Sequence, residues 1–158
     1  MRAVFIILIF SSYLGFSQNW IWADTIVDNA VTAFYADTSD NSFYIGGRYK
    51  RLAGVDTIVS IGKYKNGQWT RMGDGVDWPK SIPWCASCVP NPVRSIIKYK
   101  DTIYITGEFS YSGNTTLNGI AKWDGSKWKN IGTGLKVSIG GWGAGNKFKI
   151  FNNEECEE

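Results

Sequence analysis

The chain of 158 residues is 44% apolar and 20% charged, a balance typical of globular proteins and too apolar for an intrinsically disordered one. It contains no histidine, which excludes histidine-based catalytic triads, histidine general bases and the usual histidine-ligated metal sites. The formal net charge of +3, without any dense run of Lys or Arg, gives no indication of nucleic-acid binding.

The chain begins with the features of a secretory signal peptide. A cationic start at Arg2 precedes the apolar run 3–10, and Gly15 and Ser17 place small residues two apart, as a cleavage site requires. The apolar run is well short of the roughly 20 residues that span a bilayer, which disfavours a membrane anchor. We therefore predict a signal peptide over 1–17, a secreted or cell-surface mature chain, and no membrane span after cleavage.

Two stretches of the mature chain repeat each other in three successive blocks. The paired blocks are 43–49 with 103–109, 61–69 with 120–128, and 72–76 with 131–135. The offset is 60 residues in the first block and 59 in the other two, and chance similarity does not hold register over such a length. The mature chain is therefore predicted to contain a tandem repeat.

Each repeat has the pattern of four short strands. In the first repeat the strands are predicted over 31–35, 43–45, 60–65 and 68–72. The polar turn 36–41 separates the first two strands, and Asn66-Gly67, which favours the positive φ angles of a type I′ turn, separates the last two. In the second repeat Lys100-Asp101 and Asp124-Gly125-Ser126 occupy these places. Because helical periodicity is absent, the mature chain is predicted to be all-β.

Tandem four-stranded units of this length are typical of the blades of a β-propeller. A sheet with two apolar faces cannot bury both alone, so neighbouring sheets have to stack on it. We predict an outer strand of an incomplete blade over 18–28, blades over 29–76 and 93–136, an inserted loop over 77–92, and the start of a third blade with an acidic tail over 137–158.

The two flanking strands are predicted from further sequence matches. Residues 20–22 lie 49 positions before 69–71, and residues 146–153 repeat 94–101 at an offset of 52. A closed propeller takes roughly four to eight blades. We therefore expect an incomplete propeller, from a truncated, frame-shifted or partial sequence or from an oligomer that completes the ring.

The repeat resembles that of a known group of proteins. Residues 120–128, followed by Gly132-Thr133-Gly134, resemble the blades of secreted β-propeller proteins common in the Bacteroidetes phylum, which are similar to kelch and galactose-oxidase-like propellers. The kelch-type pattern of a Gly pair, a Tyr and a Trp is present at Gly46-Gly47, Tyr64 and Trp69. The resemblance covers about residues 19–153 and implies an exported propeller, but it does not imply a ligand. Galactose-oxidase chemistry needs histidine ligands to copper, which this chain lacks.

Cys85 and Cys88 have the spacing of a thioredoxin-type redox pair. That chemistry needs a helix N-terminus to lower the thiol pKa, and Pro90 and Pro92 directly afterwards prevent a helix. Three Cys without His also leave a zinc site short of ligands. We therefore predict a local disulfide between Cys85 and Cys88 in the oxidising exterior. The oxygen-rich segment 37–41 is predicted to be an ordinary turn in preference to a calcium loop.

The aromatic residues fall into two groups. The repeated positions are predicted to pack between blades, and they are Tyr64, Trp69, Trp123 and Trp128. The candidate ligand-binding side chains lie in loops outside the repeat, and they are Trp78, Trp84, Tyr111 and Trp142. Exposed rings of this kind stack on sugar faces or anchor partner proteins. The alternative is that they fold down over the sheet edges.

The leading hypothesis is a non-enzymatic binding module for protein or carbohydrate, without cofactor, metal or catalytic residues. One alternative is a fragment of a propeller enzyme acting on polysaccharide, with its catalytic residues in other blades. Such chemistry needs two convergent carboxylates, and Glu108 is the only glutamate between residue 17 and the acidic tail. A second alternative is a structural spacer.

Overall fold

The structure is a computed structural model that describes residues 27–52, 55–56, 58–77, 93–135 and 145–149. Throughout these residues the regular secondary structure is β-strand, with no helix, so the all-β prediction is confirmed for this part of the chain. No helix capable of crossing a membrane occurs in the described ranges.

The first sheet contains four antiparallel strands and carries a small additional hairpin. The strands in chain order are β1 (Ala30–Asp37), β2 (Ser42–Arg48), β3 (Arg51–Leu52), β4 (Val55–Asp56), β5 (Ile61–Lys65) and β6 (Gln68–Arg71). The sheet order is β1-β2-β5-β6, and β3 pairs with β4 outside it. The four predicted strands of the first repeat are thus the four strands of this sheet.

The second sheet has the same organisation. Its strands are β7 (Val93–Tyr99), β8 (Thr102–Gly107), β9 (Tyr111–Ser112), β10 (Thr115–Thr116), β11 (Ile120–Trp123) and β12 (Trp128–Asn130). The sheet order is β7-β8-β11-β12, and β9 pairs with β10. The hairpins β3–β4 and β9–β10 were not predicted, because strands of two residues carry no alternation pattern.

The short turns between the strands lie where the sequence predicts them. Asn66 and Gly67 have φ angles of 52° and 80°, which confirms the predicted type I′ turn between β5 and β6. Lys100 and Asp101, with φ angles of 45° and 60°, form the short turn between β7 and β8, which corresponds to the turn between β1 and β2 in the first sheet. In the β11–β12 turn, the Asp124 carboxylate accepts hydrogen bonds from the backbone N–H groups of residues 126 and 127 at 2.9 and 2.8 Å.

The first strand of each sheet contains a register shift at the same place. In β1 the shift lies between Val31 and Ala33, and in β7 it lies between Val93 and Ser95. One extra residue in each strand, Thr32 or Arg94, is therefore left out of the ladder, and such bulges redirect a side chain. The two repeats thus share an irregularity as well as a strand order.

The two sheets pack face to face around a common apolar core. Trp128 at the end of the second sheet is 0% exposed, and its indole Nε1 donates a 3.0 Å hydrogen bond to the Met72 carbonyl beyond the end of β6. The other buried members are Ala33, Tyr44, Ile61, Val76, Val93, Ile96, Ile103, Ile105, Phe109, Leu117 and Ala121, with Trp123 packed against them. The interface requires glycine at Gly46, because an added Cβ would lie 2.6 Å from Val93 Cγ1.

Polar contacts also join the sheets. The Lys98 Nζ lies 2.9 Å from an Asp37 carboxylate oxygen, and the Asp37 side chain is only 5% exposed. The Thr32 hydroxyl donates a 2.7 Å hydrogen bond to the Val93 carbonyl. Since these contacts lie along the first strands of the two sheets, they align one sheet with the next.

Residues 145–149 continue this stacking on the far side of the second sheet. The Phe148 N–H donates a 3.3 Å hydrogen bond to Ser95 Oγ, and Gly145 contacts Thr106. By repeat position, Gly145 corresponds to Val93 (52 residues earlier) and Thr106 corresponds to Gly46 (60 residues earlier). In the first interface the Gly is therefore on the preceding sheet and the larger Val on the following strand, whereas in the second the larger Thr is on the sheet and the Gly on the following segment. Within 145–149 the chain forms no strand, although it occupies the place predicted for a strand over 146–153.

The opposite face of the first sheet carries an aromatic cluster that we call the open face, made of Phe34, Phe43, Tyr64 and Trp69. The Phe43 ring lies 4.8 Å from Tyr64 and 5.3 Å from Trp69, and Phe34 is 50% exposed. A small core of Ile45, Tyr49, Leu52 and Ile58 adjoins it. Thus Trp123 and Trp128 pack between sheets as predicted, whereas Tyr64 and Trp69 lie on this face.

Candidate binding surface at the hairpin end

The two ends of the stacked sheets differ in their connections. One end carries only short turns, at 38–41, 66–67, 100–101 and 124–127. The other end, which we call the hairpin end, carries β3–β4, β9–β10 and the first residues of β1 and β7. Long connections held on a rigid sheet are the usual position for binding residues. The hairpin end is therefore the candidate functional surface.

Tyr111 is the predicted ligand-binding residue that the structure describes, and it lies at the hairpin end. Its carbonyl accepts a 2.8 Å hydrogen bond from Asp77 N–H, and its own N–H donates to the Asp77 carbonyl at 3.0 Å. The hairpin of the second sheet is thereby tied to the end of the first. Phe109 and Leu117 on either side are 1% and 0% exposed, so they anchor the hairpin in the core.

The side chains of this hairpin differ in their exposure to solvent. Tyr111 is half-buried, whereas the tip at residues 113–116 is exposed. The Asp74 carboxylate of the first sheet contacts Gly113. The surface around Tyr111 therefore combines one aromatic ring, an exposed polar hairpin tip and a carboxylate from the neighbouring sheet.

The remaining residues singled out from the sequence lie outside the described residues. They are Trp78, Trp84 and Trp142, together with the predicted disulfide partners Cys85 and Cys88. Trp78 directly follows Asp77 in the chain, and Asp77 is the residue paired with Tyr111. The predicted signal peptide and acidic tail lie outside the described residues as well.

A second polar group at the hairpin end was missed by sequence reasoning. Arg94, the bulge residue of β7, pairs with the Glu108 carboxylate and donates a 2.6 Å hydrogen bond to Asn146 Oδ1. Asn146 occupies the position of Arg94 at the offset of 52, so the repeat in the sequence could have indicated that the two residues lie at equivalent places. Glu108 therefore forms a structural ion pair with Arg94.

Carboxylates at the short-turn end have structural roles. Burial raises the pKa of Asp37, but hydrogen bonds from Ser39 and Lys98 outweigh it and hold the pKa below its ordinary value. Hydrogen bonds from Ser42 and Lys63 lower the pKa of Asp40 well below its usual range, with Lys65 adding to the effect. Residues 38–41 form a turn, two residues shorter than the predicted 36–41 because Asp37 ends β1. The Asp37 carboxylate at the start of this turn and the Asp40 carboxylate within it are held by lysines.

One tyrosine hydroxyl lies buried in the small core of the first sheet. Burial raises the pKa of the Tyr49 hydroxyl, which keeps it neutral, and this hydroxyl donates a 2.8 Å hydrogen bond to the Ile45 carbonyl. No group of three or more Cys, Asp or Glu side chains that could hold a metal ion occurs in the ranges the structure describes. What this surface provides is an aromatic ring and polar groups on a rigid support, which suits non-covalent recognition.

Comparison with protein families, curated proteins and solved structures gives no match for this chain.

Proposed function

We propose that the two stacked sheets are successive blades of a β-propeller-type repeat in a secreted or cell-surface protein. In support of this proposal, the two sheets share a strand order, a bulge at the same place in the first strand, and a Trp in the last strand. Residues 145–149 lie on the second sheet as β7 lies on the first, so the stacking direction repeats. Sheets that each contact only their neighbours are the basis of repeat architectures.

The protein acts as a non-enzymatic binding module for a protein or carbohydrate ligand, and it binds at the hairpin end. The observation that carries this proposal is the anchoring of Tyr111 by Asp77 at the end where the long connections gather. A residue whose backbone is held in this way loses little backbone freedom on binding, and a half-buried tyrosine ring suits the apolar face of a sugar or a partner side chain. Trp78, Trp84 and Trp142 are proposed to supply further contacts.

The experiment is a screen of the mature chain on a glycan array and in pull-downs from an extracellular protein fraction, followed by titration of the ligand found. We expect Tyr111→Ala to weaken binding about tenfold or more, as for a residue that contributes over about 1.4 kcal/mol. Tyr99→Ala is the matched control, because Tyr99 is also a half-buried strand tyrosine of the second sheet but lies at the short-turn end. Equal affinity for both variants would place the binding site elsewhere.

A further inference from the structure

A serine with a buried side chain has an unusual backbone conformation at the hairpin end. Ser60, between β4 and β5, is 1% exposed and has a φ angle of +61°. The Ile61 N–H donates a 2.8 Å hydrogen bond to the Val59 carbonyl, which makes Ser60 the central residue of a γ-turn. With a positive φ this is the classic form of the turn, which is rare and strained. A residue with a Cβ is therefore costly at this place.

The second sheet has a glycine at the same place. Gly119 lies 59 residues after Ser60 and has a φ angle of +78°. The Ser60 N–H donates a 2.9 Å hydrogen bond to the Tyr49 carbonyl. The Gly119 N–H donates the equivalent bond to the Phe109 carbonyl at 2.7 Å. Because glycine forms the same backbone bond, this bond does not explain why residue 60 is a serine.

The Ser60 hydroxyl has no hydrogen-bond partner among the residues that the structure describes. The neighbouring Val59 carbonyl is already engaged, since it accepts two backbone N–H bonds at 2.8 and 3.4 Å. By contrast, the buried Thr106 hydroxyl of the second sheet donates a 2.8 Å hydrogen bond to the Gly119 carbonyl. Buried hydroxyls nearly always have a partner, either in the protein or in ordered water, because an unpaired one costs free energy.

We propose that the Ser60 hydroxyl binds an internal water molecule at the hairpin end of the first sheet. Internal waters bond to buried polar groups that the protein itself leaves unpaired. The Tyr49 carbonyl uses one lone pair for the Ser60 N–H and has a second lone pair with which it holds the same water. The bound water offsets the cost of the strained serine, a cost that glycine avoids in the second sheet. The proposal does not depend on the nature of the ligand bound at the hairpin end.

The test is oxygen-17 magnetic relaxation dispersion on the full mature chain, which detects long-lived internal waters through the water oxygen. We expect Ser60→Ala to lower the dispersion amplitude by the contribution of one water molecule. Thr106→Val is the matched control, because it removes a buried hydroxyl that is bonded to a protein carbonyl and should leave the amplitude unchanged. An equal amplitude in the unaltered chain and in Ser60→Ala would overturn the proposal.

Urea unfolding provides an independent measurement, because its sign depends on whether the hydroxyl is paired. Removing a paired hydroxyl by Ser60→Ala should raise the unfolding equilibrium constant about fivefold, as for a hydrogen bond of ordinary strength. Removing an unpaired one should lower it, since alanine keeps the same backbone conformation without the buried polar atom. An unfolding constant that is unchanged or lower in Ser60→Ala would refute the proposal. A fivefold rise with an unchanged dispersion amplitude would place the partner in the protein and would refute it equally.

Ser60→Gly is a second variant that suits this backbone, because glycine accepts the positive φ that Gly119 also has. It keeps the proposal testable if Ser60→Ala does not fold. Its dispersion amplitude should fall by the contribution of the same water molecule, and an unaltered amplitude would contradict the proposal.

Discussion

Replacing Trp128 by alanine tests the packing between the two sheets most directly. Its side chain is fully buried and is the largest of the buried side chains in the interface. Burying roughly 200 Å² at about 25 cal/mol per Å² contributes up to about 5 kcal/mol. The hydrogen bond from its indole to the Met72 carbonyl contributes about 1 kcal/mol more.

We expect Trp128→Ala to lower the free energy of unfolding by about 3–5 kcal/mol, the range found for large aromatic residues removed from protein cores. This is a large part of the about 5–15 kcal/mol that stabilises a typical domain. Trp128→Phe keeps a ring but leaves the Met72 carbonyl without its donor, so a loss of about 1–2 kcal/mol is expected. Urea unfolding followed by far-ultraviolet circular dichroism measures both.

Lys127→Ala is the control for this series, because Lys127 precedes Trp128 and its side chain is exposed. Its effect should stay within about 0.5 kcal/mol. If Trp128→Ala cost less than about 1 kcal/mol with an unchanged urea dependence, Trp128 could not lie in a packed interface between two sheets. The stacking described above would then be wrong.

Three further perturbations follow from single contacts. Gly46→Thr alone should destabilise the chain by about 1–3 kcal/mol through overlap with Val93, and Val93→Gly in the same chain should recover part of the loss, as measured by a double-mutant cycle. Gly67→Ala should cost about 1 kcal/mol in urea unfolding, because φ is +80° but nothing lies within 4 Å of an added Cβ. The pKa of Asp37 is lowered in the folded chain. Its ionised carboxylate therefore stabilises the fold above the ordinary pKa of 3.8, and this stabilisation is lost as the pH falls through the folded pKa. Asp37→Asn should make the free energy of unfolding fall less steeply as the pH is lowered below about 5.

Each of these expectations has a contrary result. An additive cycle for Gly46→Thr and Val93→Gly would mean that the two positions do not touch. A neutral Gly67→Ala would contradict the left-handed turn, and Gln68→Ala serves as the exposed neighbour for comparison. An unaltered pH profile in Asp37→Asn would show that the Lys98 contact is not formed in solution.

Much of the strand pattern was predictable because it depends on neighbours in sequence. Asn66-Gly67 indicates its turn because both residues accept positive φ, and the repeat at 59–60 residues indicates two units of the same kind. Lys100-Asp101 was placed correctly through the repeat, because it stands where the first repeat has its polar turn. The hairpins β3–β4 and β9–β10 were not predictable, since two residues contain no period. For this reason the prediction of a loop at Tyr111 was wrong, because Tyr111 is the first residue of the two-residue strand β9.

The sequence by itself determined the strands of the two four-stranded sheets, the short turns between them and their grouping into two units of four. Only the tertiary structure decided which face of each sheet is covered, because both faces are apolar and alternation does not distinguish them. It alone paired Gly46 with Val93 and Gly145 with Thr106, and joined Arg94 to Glu108. The two glycine contacts link residues far apart in the chain, and their geometry is set by how the sheets and residues 145–149 stack, which no local pattern encodes. The Arg94–Glu108 pair depends on the bulge in β7, which the sequence pattern does not reveal.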